Sequence, residues 1–234
     1  MKTPADKKNI LHMEKLTIQS GPSYDTGLWN LNFSLAAGEL ALVRLEASNV
    51  RVPLADAAQG LADAGAGSVA FMGEDWRAMS PRHAASARGR TGRVFEGNDW
   101  YHVLDLAENI MLAQSHHTRR SRSEIADEAA ELSHQFGLPG LPRSKHWQAH
   151  PHDLRRAACV RAFMGQPNLI LLEQPTEGLF SEIISPLMAA IRRALARGAA
   201  ILWTTTEDLV WNDKGVLPSQ RLMMAGAQLI ATRN

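Results

Sequence analysis

The stretch Leu169–Phe180 reads Leu-Ile-Leu-Leu-Glu-Gln-Pro-Thr-Glu-Gly-Leu-Phe, an apolar run that ends on an acid, Glu173, and an amide, Gln174. A short, continuously apolar run is the pattern of a parallel strand buried on both faces. Glu173 therefore places a carboxylate at the edge of a core. A carboxylate there is costly unless it meets a cation, accepts hydrogen bonds or takes up a proton. The donors closest in sequence are Gln174 and backbone N–H groups. Gln174 cannot act as a general base, a role worth about 10²–10⁴-fold in rate where an acid fills it.

Other groups able to do chemistry are fewer. His146, His150 and His152 stand with Asp153. The His-x3-His spacing would put two rings on one helical face, as a metal requires, but Pro151 interrupts it and no metal is expected. The run His116-His117-Thr118-Arg119-Arg120-Ser121-Arg122 is basic and reads as a solvated loop. Cys159 is the single cysteine, which excludes an internal disulfide and fits a reducing compartment. It lies in an apolar helix and reads as core. Trp100 and Tyr101 are open to two readings, contact with a partner or core packing, since aromatics serve both.

The elements that must position these groups are legible in outline. Leu28–Leu35 and Leu40–Val43 read as strands around the turn Ala36–Glu39, and Leu54–Leu61 as a short helix. Val69–Met72 reads as a strand, and Ser80-Pro81 opens a helix. Residues 105–165 are mostly helical, with Ser121 and Glu124 matching a capping box. Behind that box Ile125, Ala129, Leu132 and Phe136 recur at helical spacing. Ser185–Arg197 reads as a helix with Ile184, Leu187, Ile191 and Leu195 on one face, stopped by Gly198. Ala199–Thr205 is the next strand, so Leu169–Thr205 forms a strand–helix–strand crossover. The 234 residues are 45% hydrophobic and 21% charged with a net charge of +1. That is an ordinary globular balance without a field that attracts nucleic acid. The opening residues carry charge with no apolar stretch behind them, so no secretory signal is expected. No run approaches the roughly 18 apolar residues that span a bilayer.

Across about residues 11–232 this order of elements resembles the ATP-binding subunit of ATP-binding cassette (ABC) transporters. The likeness is carried by Leu35–Leu40, Met79–Arg82, Gly92-Arg93-Val94-Phe95, Glu108-Asn109 and the ungapped stretch Val160–Phe180. It implies an α/β, ABC-type P-loop NTPase fold with a parallel-sheet core, an antiparallel β subdomain and a helical subdomain. One domain covers 1–234, with core and β subdomain at about 11–104 and 166–232, and the helical part at about 105–165. The Arg155–Ala158 run and the Pro-Thr-x-Gly-Leu stretch resemble the lipid-trafficking (Mce-type) importer branch.

The family's site residues fall on degenerate positions. Its phosphate loop falls on Leu45–Val52, where both glycines are missing, Arg51 takes the lysine position and Val52 the hydroxyl position. Pro53 removes a further N–H. Glu96 takes the place of the glutamine that helps hold Mg²⁺. Glu173 takes the metal-holding aspartate position, Gln174 the base position and Glu207 the switch histidine position. The signature falls on Ala149–Asp153, or is deleted after the lead-in Pro151–Leu154, and neither placement has a Ser-Gly-Gly. Tyr24 is the candidate for stacking on adenine.

The resemblance then implies a non-catalytic subunit, a pseudo-ATPase with a structural or regulatory role in a membrane ABC transport complex, without nucleotide or metal sites. No cofactor is expected. Its partners would be an integral-membrane permease and a homodimeric or heterodimeric cassette, with no nucleic acid. Partner contact is expected at Glu96, Trp100, Tyr101 and His102. The location would be cytoplasmic, peripheral on the inner face of the membrane. One alternative is a weakly active subunit that binds ATP and Mg²⁺. Another is a stand-alone module using the remodelled cleft.

Overall fold

The structure, a computed structural model, describes residues 8–97 and 100–232. Residues 1–7, on which the absence of a secretory signal is read, lie outside the described residues.

The chain opens with β1 (Asn9–Ile18) and β2 (Leu28–Ala36), an antiparallel pair in which Leu11 faces Leu35 and Leu16 faces Leu31. β3 (Leu40–Arg44) follows after Gly38, whose φ of +77° lets the chain turn back. A loop leads to the short helix α1 (Leu54–Ala58), then to β4 (Ala66–Phe71), β5 (Glu74–Asp75) and α2 (Pro81–Arg88). Ser80 caps α2 by accepting from His83 N–H, with Pro81 in the first turn. β6 (Thr91–Val94) precedes three helices, α3 (Leu106–His117), α4 (Arg122–Gln135) and α5 (Pro151–Phe163). Then come β7 (Leu169–Glu173), α6 (Phe180–Ala196), β8 (Ala200–Thr205), α7 (Asp208–Asn212), β9 (Gln220–Ala225) and β10 (Gln228–Ala231).

Two sheets result. Four strands pair in the order β2-β1-β4-β5, and six in the order β10-β9-β3-β8-β7-β6. In the larger sheet β9, β3, β8, β7 and β6 run parallel, and β10 is antiparallel at one edge. Strand alternation splits the apolar residues between its faces. Leu40, Leu42, Ile170, Leu172, Ile201 and Trp203 pack with α3, α4, α5 and α6. Ala41, Val43, Leu169, Leu171, Ala200 and Leu202 pack with α1, α2 and the smaller sheet. Both faces of the larger sheet are thus buried, which is why its strands read as continuous apolar runs.

The Ser121–Glu124 capping box forms on α4, and a second, Asp105 with Glu108, starts α3. The helix after β7 begins at Phe180 rather than Ser185 and carries Pro186 inside it. The buried face accordingly runs through Ile183, Leu187, Ala190, Ile191 and Ala194, while Ile184 and Leu195 are only half-buried. At five residues α1 is too short to be stable alone. Its C-terminal carbonyls are taken by other elements: Trp76 Nε1 donates to Ala58 O at 3.1 Å, and Arg88 donates to Gln59 O and Gly60 O at 3.0 and 3.1 Å. Among the described residues no helix is long and apolar enough to cross a membrane.

β6 and α5 approach so closely that only a glycine fits between them. A Cβ on Gly92 would lie 1.8 Å from the carbonyl oxygen of Ala162. Gly92→Ala should therefore lower unfolding free energy by on the order of 3 kcal/mol, read from a denaturant melt. Gly97→Ala, with no atom of the described residues within 4 Å of the added carbon, is the control and should melt like the parent.

Candidate functional site

The parallel strands end together, and the acid at the head of β7 points to the same side as Leu169 and Leu171 because it follows them at even spacing. On the neighbouring strand β6, Thr91 and Arg93 point the same way, while Gly92 and Val94 face α5. Arg93 thus meets Glu173 above the N-terminal part of α1. Its Nε donates to Glu173 Oε2 at 2.6 Å, and its Nη1 donates to Asp56 Oδ1 at 2.5 Å and Gln59 Oε1 at 3.1 Å. Its guanidinium also lies 4.4 Å from the Phe95 ring centroid. The Arg93 and Glu173 side chains are only 9% and 14% exposed.

Burial works against the Arg93 charge, and the Glu173 and Asp56 carboxylates outweigh it, so the guanidinium is held more firmly charged than usual. Burial pushes the Glu173 carboxyl above its ordinary range although Arg93 pulls it down. Glu173 therefore finds its partner across the sheet in Arg93, not in Gln174 or in a backbone N–H. Removing one member of such a buried pair costs about 3–5 kcal/mol, because the other is left without a counter-charge.

The loop Leu45–Val52 is similarly engaged with its own chain. Leu45 N–H donates to Thr205 O at 2.8 Å, Asn49 N–H to Glu46 O at 2.9 Å and Val52 N–H to Val50 O at 3.2 Å. Arg51 donates from its backbone N–H to Asp25 Oδ2 at 2.9 Å, and from Nε and Nη2 to Asp25 Oδ1 at 3.1 and 2.7 Å. These bonds hold the Asp25 carboxyl below its ordinary range. Leu45 and Val52 are buried, Val50 is half-buried and Arg51 is exposed. A phosphate cradle needs several converging, unspent N–H groups. Here those of Leu45, Asn49, Arg51 and Val52 already have acceptors within the chain. Glu173, spent on Arg93, does not fit a metal as it stands.

The other sequence-predicted residues scatter around this centre. Gln174 is buried with φ +48°; its Oε1 accepts from Thr206 N–H at 3.0 Å, and its Nε2 has no hydrogen-bond partner among the described residues. Thr176 donates its hydroxyl to Glu207. The Glu96 carboxyl is pushed up by burial and by the like charges of Asp25 and Glu177. Tyr24 donates to Asp56 Oδ2 at 2.8 Å, so its ring is tied to the Arg93 network. His150 caps α5 with Nδ1, accepting from His152 N–H at 3.2 Å, Asp153 pairs with Arg156 at 3.1 Å, and His146 packs edge-on against His102 and Trp147.

Of the expected partner contacts, Trp100 and Tyr101 separate. Trp100 is 6% exposed and lies under Arg161, 4.4 Å from ring centroid to guanidinium carbon, whereas Tyr101 is 63% exposed. His102 is exposed and Glu96 half-buried; residues 98 and 99 of the same loop lie outside the described residues. Beside them opens a cavity of about 800 Å³ lined by Phe95, Trp100, Tyr101, Leu112, His116 and Arg161 among others. Asp56, Gln59, Asp25 and Arg93 escape a motif-based reading. The available signal for Arg93 is its even spacing with Thr91 on a strand next to one that ends in an acid.

The six-stranded sheet, with a four-stranded antiparallel sheet on one face and a helical layer on the other, superposes on known structures. The dimeric structure of a bacterial ABC transporter cassette matches with a TM-score of 0.79 over 96% of this chain and 99% of that one, at 18% identity. The fold is that of an ATP-binding cassette. The structure of an ATP-binding subunit of an ABC transporter agrees, with a TM-score of 0.77 over 94% and 88% of the two chains at 19% identity.

Sequence relatives of this cassette are ABC transporter ATP-binding proteins. The octopine permease ATP-binding protein P of Rhizobium radiobacter is 33% identical over 61% of this chain and 58% of its own length. The putative hemin import ATP-binding protein HrtA of Staphylococcus haemolyticus is 25% identical over 78% of this chain and 82% of its own. The match therefore spans little more than half the length of the octopine permease proteins. No family model matches the chain. These relatives have names from octopine, hemin and lipoprotein systems, so the Mce likeness stands on its short runs alone.

One expectation is corrected by these comparisons. The degenerate motifs imply a non-enzyme, but the relatives are named for ATP binding, and a cassette of the same fold was captured after hydrolysis with ADP and Pi. The physical reason for the correction is that ion pairs in a resting conformation are exchangeable. Side chains that fill a site describe one populated state, not a permanent block.

The Tyr24–Asp56 bond can be tested by titration. Burial, followed by the bond to Asp56, raises the Tyr24 phenol to about 12. A phenol that ionises later in the folded than in the unfolded chain contributes stability below about pH 10, lost as pH rises toward the folded value. In a Tyr101→Phe background, Tyr24 is the one tyrosine left. Its phenolate absorbance should appear near pH 12. A midpoint near the usual value of about 10 would show that the bond does not form.

Proposed function

We propose that this chain is the cassette subunit of a membrane transport complex, held at the cytoplasmic face by an integral-membrane permease. Three facts support the reading: the cassette fold, relatives named as ATP-binding components of permeases and importers, and the absence of any described helix able to cross a membrane. The observation that carries it is the groove beside Tyr101. At about 800 Å³ it is large enough for a turn or two of a partner helix, and its lining combines apolar Phe95, Trp100 and Leu112 with basic His116 and Arg161. Pairing with a second cassette, identical or not, belongs to the same reading, since a neighbour of this fold is dimeric.

Trp100 and Tyr101 call for separate tests, because one is buried and the other is not. Tyr101→Ala should weaken retention in detergent-solubilised membrane complexes by roughly ten-fold, about 1.4 kcal/mol, with an unchanged melting temperature. Trp100→Ala should instead destabilise the fold by about 3 kcal/mol, since it removes a buried aromatic. Retention is read by co-purification of the permease with the tagged chain. A chain that leaves the membrane fraction alone, with no integral-membrane protein bound, would overturn the proposal.

A further inference from the structure

The basic run at residues 116–122 and the apolar tips beside it lie outside the cleft. In the run, His116, His117, Arg119 and Arg122 are exposed, and Arg119 and Arg122 have no charged partner among the described residues. Arg120 pairs with Glu128, and the next acid along the chain, Glu124, is spent on the cap at Ser121. Arg120 and Arg122 border a hollow of about 390 Å³ whose apolar wall includes Leu104, Met111 and Leu112. Glu108, the acid that lines the same hollow, is bonded to Asp105 N–H in the cap of α3. Leu104 ends the turn 101–104, in which Val103 is 83% exposed. That turn is tied to the segment 145–148. Lys145 Nζ donates to Val103 O at 2.7 Å, Trp147 stacks on His102 with ring centroids 6.3 Å apart, and the buried His146 packs edge-on against both rings. Trp147 itself is 60% exposed. Apolar tips held in place but left in water thus stand beside arginines that lack counter-charges.

Cations and exposed apolar side chains on one surface suit an anionic bilayer. Each arginine close to the charged headgroups strengthens binding by roughly five-fold, and tryptophan settles at the boundary between headgroup and acyl chain. A protein partner would have to supply acids at matching positions, whereas a layer of anionic headgroups meets arginines wherever they point. The net charge of +1 makes such an attraction local to this patch.

We propose that this surface, Arg119 and Arg122 with Val103 and Trp147, rests on anionic phospholipid, so that the chain touches the bilayer directly beside its groove. This contact does not pass through a permease. A chain held by a permease would meet the lipid at a high effective concentration, so a weak lipid contact adds to its retention.

Flotation of the purified full-length chain with protein-free vesicles tests the lipid contact apart from any permease. Vesicles of phosphatidylcholine mixed with phosphatidylglycerol should bind the chain at least roughly ten-fold more tightly than phosphatidylcholine alone, and added salt should release it, because exposed charges are screened. Arg122→Gln should weaken binding roughly five-fold, and Arg119→Gln with Arg122→Gln roughly thirty-fold. Lys214→Gln, which removes the same charge from the loop between α7 and β9, should bind as the parent does. Trp147→Ala should weaken binding and abolish the blue shift of tryptophan emission that vesicles cause, with its melting temperature unchanged. Equal binding to neutral and anionic vesicles, or an equal loss in Arg122→Gln and Lys214→Gln, would overturn the proposal. So would a chain that ignores both kinds of vesicle; if Arg122→Gln and Trp147→Ala then reduced co-purification of the permease, the surface would belong to a protein.

Discussion

The contact between Arg93 and the acids Asp56 and Glu173 joins three elements, β6, α1 and β7, beyond their backbone pairing and packing. β6 is a four-residue edge strand, and α1 has five residues with no side-chain cap at its start. A helix that short does not persist on propensity. It persists here because Asp56 and Gln59 are bound from β6, and because Trp76 and Arg88 take its last carbonyls. The pairing follows from the alternation of strands. Once β6 and β7 lie parallel with Arg93 opposite Leu171, the arginine and Glu173 must share a face. A one-residue slip would turn Arg93 into the packed layer against α5 and push Gly92 out of the only space that it fits.

Much of this fold is legible from local chemistry. The buried strands announce themselves as apolar runs, and Ser80 and Ser121 as helix caps, because those signals involve residues close in sequence. Local signals also mislead where the governing contact is distant. The pattern Ile184, Leu187, Ile191, Leu195 is a valid helical stripe, yet the sheet selects the stripe through Ile183, since the helix starts a turn and more earlier and packs by tertiary fit. The second capping box, Asp105 with Glu108, was available to the same rule that found the first. Arg93 could not be assigned to Glu173 by motif, because the two are 80 residues apart and the pairing depends on strand order. Trp100 and Tyr101, adjacent in sequence, part company because one side chain enters the core under Arg161 and the next leaves it.

The charged groups of the cleft have a common arrangement. At the loop before α1, a carboxylate from the β1–β2 connection, Asp25, accepts the N–H and the guanidinium of Arg51. At the head of β7, a guanidinium meets two carboxylates. In both places a charged side chain is met by one of opposite charge from the same chain. The ring around them is paired as well: Arg155 with Glu177 at 2.7 Å, and Arg156 with Asp153 and Glu182. Glu96 differs: burial and the like charges of Asp25 and Glu177 push its carboxyl up. The pairs that are exposed contribute little to stability. The Arg93–Glu173 pair is the mostly buried one, with side chains 9% and 14% exposed, so breaking it costs more.

Phe95 connects that cluster to the groove. Its ring lies 4.4 Å from the Arg93 guanidinium on one side and 5.2 Å from that of Arg161 on the other. Arg161 also stacks on Trp100, and Phe95 and Trp100 both line the groove beside Tyr101. A chain of packed contacts transmits a bias only if some member has two arrangements. The structure shows Arg93 in one arrangement, in among the carboxylates. Cation–π contact depends on the ring lying under the charge. A groove occupant that turns Phe95 therefore changes the support of Arg93 directly, over a path two side chains long.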